Sequence, residues 1–132
     1  MQAQSVASDY LVMAMRVLSL QKRRSLVILL TNTRDEDYTD LLQAARLLRQ
    51  RHWVVIADIR EALLDQWSHV KPKHLPQALE FLASQDYLQA RAQAHRHFGH
   101  QGVQMLDVLP EQLAPALVNE YQRMKRSGQL AV

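Results

Sequence analysis

Three short apolar runs divide the chain, at residues 25–31, 53–59 and 103–107. The first two are almost continuously apolar and are much shorter than a helix that packs on a core. Runs of this kind are typical of strands that are covered on both faces, as in a parallel sheet. The pattern therefore predicts three parallel strands, adjacent in chain order, with 53–59 at the centre.

Apolar residues recur at helical spacing between these runs. The first three predicted helices cover residues 8–21, a stretch that begins at Tyr38, and residues 60–67. A fourth runs from Pro76 to Phe98 with a break near Ser84. The last runs from Ala114 to Gly128, and its residues Leu117, Tyr121 and Met124 are predicted to face inward. A separate turn at Pro110 precedes the last helix, because a proline deep inside a helix loses a hydrogen bond. This alternation predicts a single α/β domain over residues 1–132, with three layers in which helices flank a parallel sheet.

The composition fits one compact chain. Of its 132 residues, 48% are hydrophobic and 22% are charged, which excludes a disordered polymer and allows a sizeable core. The net charge of +3 is mildly basic, but the basic residues are scattered, so nucleic-acid binding is not favoured. Cysteine is absent, which excludes disulfides and thiolate metal sites. No apolar run reaches the length of a membrane span and no signal-peptide pattern is present, so we expect a cytoplasmic chain without membrane contact.

The strand predicted at residues 25–31 poses a problem for a three-stranded sheet. If 53–59 is central, 25–31 must lie at an edge, and it carries neither a charge nor a proline to prevent pairing with another chain. We therefore expect Leu26, Ile28 and Leu30 to take part in an interaction, with a homodimer as one outcome. The alternative is that the chain is part of a larger sheet.

Three stretches of the chain resemble a known family. They are RRSLVILLTNTRDED, LLRQRHWVVIADIRE and LVNEYQRMKRSGQL. Together they resemble the C-terminal half of the von Willebrand factor A-like domain in the bacterial domain-of-unknown-function family fifty-eight, and the resemblance spans about residues 8–130. The pattern of Asn119, Tyr121 and Lys125 is its most specific part. The resemblance implies a partial von Willebrand A-like, Rossmann-like fold, with this chain as the C-terminal part of a larger domain.

The same resemblance implies a function. Members of this family are expected beside a MoxR-type AAA+ ATPase, often with membrane-spanning helices ahead of the domain. The chain is then expected to be a non-enzymatic protein-interaction domain that serves as an adaptor or partner of such an ATPase. This partner is implied by the resemblance alone, not by any particular residue.

A divalent-metal site at the carboxyl edge of the sheet is also implied by the resemblance. Ser8 and Asn32 match two ligand positions, and Asp35 can supply charge from the same loop as Asn32. Asn32 is neutral where the family usually has a carboxylate, and the first ligand group is absent. We therefore expect weak binding of Mg²⁺ or another divalent cation and no tightly bound cofactor. Acids at 35–37 equally suit a helix N-terminus without any ligand, and both readings stay open.

A different class of function remains as the alternative. A small flavodoxin-like or hydrolase-type α/β enzyme would use the loop at residues 31–37 together with Asp58, at the ends of two strands. Against it, the sequence has no nucleophile elbow and no glycine-rich phosphate loop. His95, His97 and His100 do not share one helix face, so we interpret them as a solvated cluster and not as a zinc site.

Overall fold

The structure, a computed structural model, describes residues 2–32 and 38–128, with side chains from Asp9 onward. The elements in chain order are α1 (Gln2–Leu20), β1 (Leu26–Thr31), α2 (Tyr38–Arg49), β2 (Trp53–Ile59), α3 (Ala62–Ser68), α4 (Leu75–His100), β3 (Gln104–Val108), a 3₁₀ turn (Pro110–Gln112) and α5 (Leu113–Arg126). The fold is α/β, with helices flanking a parallel sheet, as the sequence predicts.

The sheet contains the three predicted strands in the order β1-β2-β3, and both pairs are parallel. Leu29 lies opposite Ile56, and Ile56 lies opposite Met105. Paired residues in neighbouring strands point to the same side of a sheet. The register therefore shows which side chains share a face, and it confirms that β2 is central.

One face of the sheet carries the helices that connect the strands. Because the strands follow chain order and parallel crossovers are right-handed, α2 and α4 lie on the same face. The side chains of Leu29, Ile56, Leu48 and Phe98 form one buried cluster there, and α1 packs against α2. We call this the covered face.

The opposite face is covered by α5. Val55 and Ala57 alternate with Ile56, so they point away from the covered face, and both are fully buried. Helix α5 contacts both β2 and β3 and buries Met124. We call this the α5 face.

Three features differ from the sequence prediction. Helix α1 begins at Gln2 and not at residue 8. Helix α4 is continuous through Ser84, whose hydroxyl donates to the carbonyl of Phe81 at 2.7 Å and is thereby satisfied within the helix. The prediction that Tyr121 faces inward is wrong: its side chain is 45% exposed, and the inward position is taken by Glu120, which pairs with Arg123 at 2.7 Å.

The predicted turn and helix at the C-terminal end are confirmed. Pro110 opens the 3₁₀ turn, and Pro115 lies in the first turn of α5, where its missing N–H removes no helical hydrogen bond. Gly128 follows the helix with a φ of 77°, a conformation that glycine adopts without steric cost.

Candidate functional site

The first candidate site is the side of β1 that points away from the covered face. Val27 and Leu29 pack into the core of the covered face, so Leu26, Ile28 and Leu30 must point to the α5 face. Helix α5 buries the central strand there, while Leu26 and Ile28 are partly buried, as Val27 is on the covered face. Leu30 is 56% exposed, whereas Leu29 is only 7% exposed. We call Leu26, Ile28 and Leu30 the open stripe.

The backbone N–H and C=O groups of β1 also alternate, between the side that faces β2 and the side that faces away from it. Ser25 uses its carbonyl to accept from the N–H of Trp53 at 2.9 Å, and its own N–H donates to Nδ1 of His52 at 3.1 Å. Both groups of Ser25 therefore face the β2 side, and the groups of every second residue do the same. The N–H and C=O groups of Leu26, Ile28 and Leu30 consequently point away from β2, where no strand lies among residues 2–32 and 38–128.

Helix α1 adds further uncovered apolar surface. Its Ala14 is fully buried where the helix packs on α2, but Val12, Met15 and Leu20 are 53%, 52% and 74% exposed. Single exposed apolar side chains are common in proteins, but several on one helix are typical of an interaction surface.

The second candidate site lies at the carboxyl ends of β2 and β3, where α/β folds usually bind ligands. Asp58 is fully buried near the end of β2, and Asp107 precedes the last residue of β3. Arg91 of α4 bridges them, with contacts of 3.0 Å to Asp58 and 2.6 Å to Asp107. Nε2 of His95, one helical turn later, lies 2.7 Å from the second carboxylate oxygen of Asp58.

This charged cluster continues toward the surface through Arg60. Its guanidinium bonds to Asp107 at 2.7 Å and to Asp65 at 2.8 Å, which ties β3 to the first turn of α3. Burial alone would raise the pKa of Asp107, but the hydrogen bonds from Arg60 and Arg91 outweigh it and hold that pKa below its ordinary value. Asp107 therefore remains ionised to low pH.

The charged side chains of this cluster mostly neutralise one another. One carboxylate oxygen of Asp58 accepts from Arg91 and the other contacts His95, so Asp58 is not a free acid. Burial would lower the pKa of Arg91, but its bond to Asp107 and the charge of Asp58 raise it instead. Asp58 can orient the ring of His95, and in the described part of the chain no hydroxyl nucleophile bonds to His95.

Sequence reasoning found Asp58 but missed Arg91 and Asp107. Arg91 lies on the inward stripe of α4 with Ala94 and Phe98, at the spacing i, i+3, i+7. A charged residue on an apolar helix stripe indicates a buried partner of opposite charge. Asp107, near the end of an apolar strand, is the residue that could have been identified as that partner. His97 and His100 are exposed, as expected for a solvated cluster, but that interpretation is wrong for His95, which is partly buried against Asp58.

The residues proposed for a divalent metal are placed as follows. Asn32 is exposed directly after β1, at the carboxyl edge. Ser8 lies within α1 and not ahead of a helix, and Asp35 lies outside the described residues. Among the residues that the structure describes, no cluster of three or more His, Cys, Asp or Glu side chains is arranged to hold a metal ion. The metal site remains a prediction.

Comparison with protein-family models, with curated proteins and with solved structures finds no match for this chain. The resemblance carried by the three sequence stretches therefore remains an expectation. None of the described helices combines the length and apolar character needed to cross a membrane.

Proposed function

We propose that the chain is a non-enzymatic protein-interaction domain that binds its partner along β1. The observation that carries this proposal is the coincidence of an unpaired strand edge and partly uncovered apolar side chains on the same three residues, of which Leu30 is the most exposed. Leu26, Ile28 and Leu30 offer apolar side chains on the α5 face and backbone groups directed away from β2. A strand of a partner can therefore pair with the backbone while its side chains extend the apolar layer.

The energetics of pairing favour such a partner. Each backbone hydrogen bond to a partner strand that replaces a bond to water contributes about 0.5–1.5 kcal/mol net. Apolar surface contributes roughly 25 cal/mol per Å² when it is removed from water. Strand β1 has none of the devices that natural edge strands use against pairing, since its sequence LVILLT has no charge and no proline. Addition of a strand to an exposed edge is an established mode of peptide recognition.

The partner is proposed at two levels. In the isolated chain we propose a second copy, with the two β1 strands antiparallel across a two-fold axis, which gives a homodimer. In the cell we propose a MoxR-type AAA+ ATPase, and the support for this partner is the sequence resemblance. Asn32 and Asp35 remain, with Ser8, an incomplete site that would bind a divalent cation weakly.

The proposal is tested by light scattering over a range of protein concentrations. We expect the wild-type chain to form dimers and Leu30→Lys to remain monomeric, because a charge at the edge opposes pairing. Leu63→Lys is the matched control, since Leu63 is 50% exposed on α3. A monodisperse wild-type monomer at high concentration contradicts the homodimer. Binding of a MoxR-type ATPase that is unaffected by Leu30→Lys contradicts the role of β1.

A small α/β enzyme is the second candidate, and the contact between His95 and Asp58 is the observation that favours it. A buried carboxylate that orients a histidine is a common arrangement in acid–base catalysis. Hydrolysis of ester or phosphate-ester substrates that is lost in His95→Gln but retained in His97→Gln would support this candidate. Hydrolysis at the same background rate in the wild-type protein and in both variants would contradict the enzyme candidate.

A further inference from the structure

A cavity of about 240 Å³ lies at the amino edge of the sheet, opposite the edge where the sequence predicts a ligand. Its lining includes Arg24, which precedes β1, Arg49 at the end of α2, and His52 and Trp53 where β2 begins. Gly102, ahead of β3, completes one side. The lining therefore contains two arginines and no carboxylate.

His52 contributes a buried polar side chain to the lining of the cavity. Its Nδ1 accepts the backbone N–H of Ser25 at 3.1 Å, so the hydrogen of the neutral ring lies on Nε2. The residue is 2% exposed, and Nε2 is buried without a hydrogen-bond partner in the described part of the chain. Burial, aided by the positive charges of Arg51 and Arg24, lowers the pKa of His52 and keeps the ring neutral. Buried donors without acceptors are uncommon in proteins, so Nε2 is a polar group that an added acceptor would satisfy.

The guanidinium of Arg49 lies close to the backbone of Gly102. A Cβ atom on Gly102 would lie 2.8 Å from a terminal nitrogen of the Arg49 guanidinium, which is closer than real contacts allow. Gly102 also has a φ of 77°, which disfavours any side chain. The turn before β3 therefore leaves room for the guanidinium at the cavity. No hydrogen bond or ion pair of Arg49 occurs among the described residues.

We propose that this cavity binds a small anion that carries a phosphate group. Guanidinium groups bind phosphate through paired, charge-assisted hydrogen bonds, and a neutral imidazole N–H can add one more donor. Phosphate carries up to two negative charges and several acceptor oxygens, which complements Arg49 and the Nε2 of His52 better than the single charge of a carboxylate. The proposal is independent of the interaction function of β1, from which the cavity is a separate surface.

Titration with inorganic phosphate at constant ionic strength, followed by backbone amide NMR, tests the site. We expect saturable shifts for the amides of Trp53, Gly102 and Gln104, and a weaker response to acetate. Arg49→Gln should weaken phosphate binding at least roughly tenfold, since it removes a charge-assisted contact. Arg46→Gln, an exposed arginine on the same helix outside the cavity, should leave the affinity unchanged.

Two substitutions of His52 separate its two nitrogen atoms. His52→Asn retains an acceptor near the N–H of Ser25 but removes the Nε2 donor, so we expect a folded protein with weakened phosphate binding. His52→Gln retains a donor near the former Nε2, so its affinity should fall less. Absence of saturable shifts in the wild-type protein overturns the proposal, as does equal weakening by Arg46→Gln and Arg49→Gln. If His52→Asn fails to fold, the comparison of the two arginine variants decides the outcome.

Discussion

Leu29 and Leu30 are neighbours of the same residue type on β1, yet their environments are opposite. Leu29 points to the covered face, is 7% exposed, and packs in the cluster formed by the strands and α2. Leu30 points to the α5 face and is 56% exposed. Helix α5 on that face contacts β2 and β3, whereas α2 and α4 pack on the covered face. The role of an apolar residue in this sheet is therefore set by strand order and crossover direction, not by hydropathy.

The covered face also contains the most strongly buried charge, which gives the largest expected effect. Asp58→Ala should destabilise the fold by about 3–5 kcal/mol, because it leaves Arg91 buried beside an empty position. Denaturant unfolding measures the change. Asp86→Ala, at an exposed position of α4, should change stability by less than about 0.5 kcal/mol and serves as the control. Equal losses in the two variants would remove the distinction between a buried and a surface charge.

The leucine pair itself provides the next prediction. Leu29→Ala should cost about 2–5 kcal/mol, because truncation leaves a cavity in a packed cluster. Leu30→Ala should change the stability of the monomer by no more than about 0.5 kcal/mol. Denaturant unfolding in dilute solution keeps association out of the measurement. Similar losses for the two variants would show that the α5 face is as well packed as the covered face.

A smaller effect on stability is expected from pH, through the hydrogen bond between the N–H of Ser25 and Nδ1 of His52. Burial lowers the pKa of His52 in the folded protein, so the unfolded chain binds this proton more readily. The stabilising contribution is present above the ordinary histidine pKa and is lost as pH falls through the folded value. Each unit of lowered pKa is worth about 1.4 kcal/mol. Protonated Nδ1 would no longer accept from Ser25.

Denaturant unfolding at about pH 7.5 and about pH 5 tests this linkage. The wild-type protein should lose stability toward the lower pH, and His52→Asn should lose less, because asparagine does not titrate there. A loss of equal size in both proteins would assign the pH dependence to other groups.

Some of these features could be predicted from the sequence and others could not. The apolar runs around Val27 and Ile56 predict the strands, and the alternation of elements predicts their order. The charged cluster is different, because Asp58, Arg91 and Asp107 are far apart in sequence and meet only when α4 crosses the sheet. No local sequence pattern predicts that contact. The open cavity at the amino edge likewise depends on how Arg49 and Gly102 approach in three dimensions.

Sequence alone also could not show which face of β1 is uncovered. Both sets of alternating residues are apolar, since Leu26 and Ile28 are as hydrophobic as Val27 and Leu29. The asymmetry arises from the placement of α5 over β2 and β3. Leu26, Ile28 and Leu30 were named from the edge position of the strand, and their role in binding stays a prediction.

Hydrogen–deuterium exchange of the β1 amides, measured in dilute and in concentrated solution, tests the interaction function most directly. The amides of Val27 and Leu29 face β2 and should exchange slowly at both concentrations. The amides of Leu26, Ile28 and Leu30 should exchange fast when dilute and slowly when concentrated, as a second β1 strand pairs with them. Association that leaves these three amides exchanging fast at every concentration would contradict binding along the edge of β1.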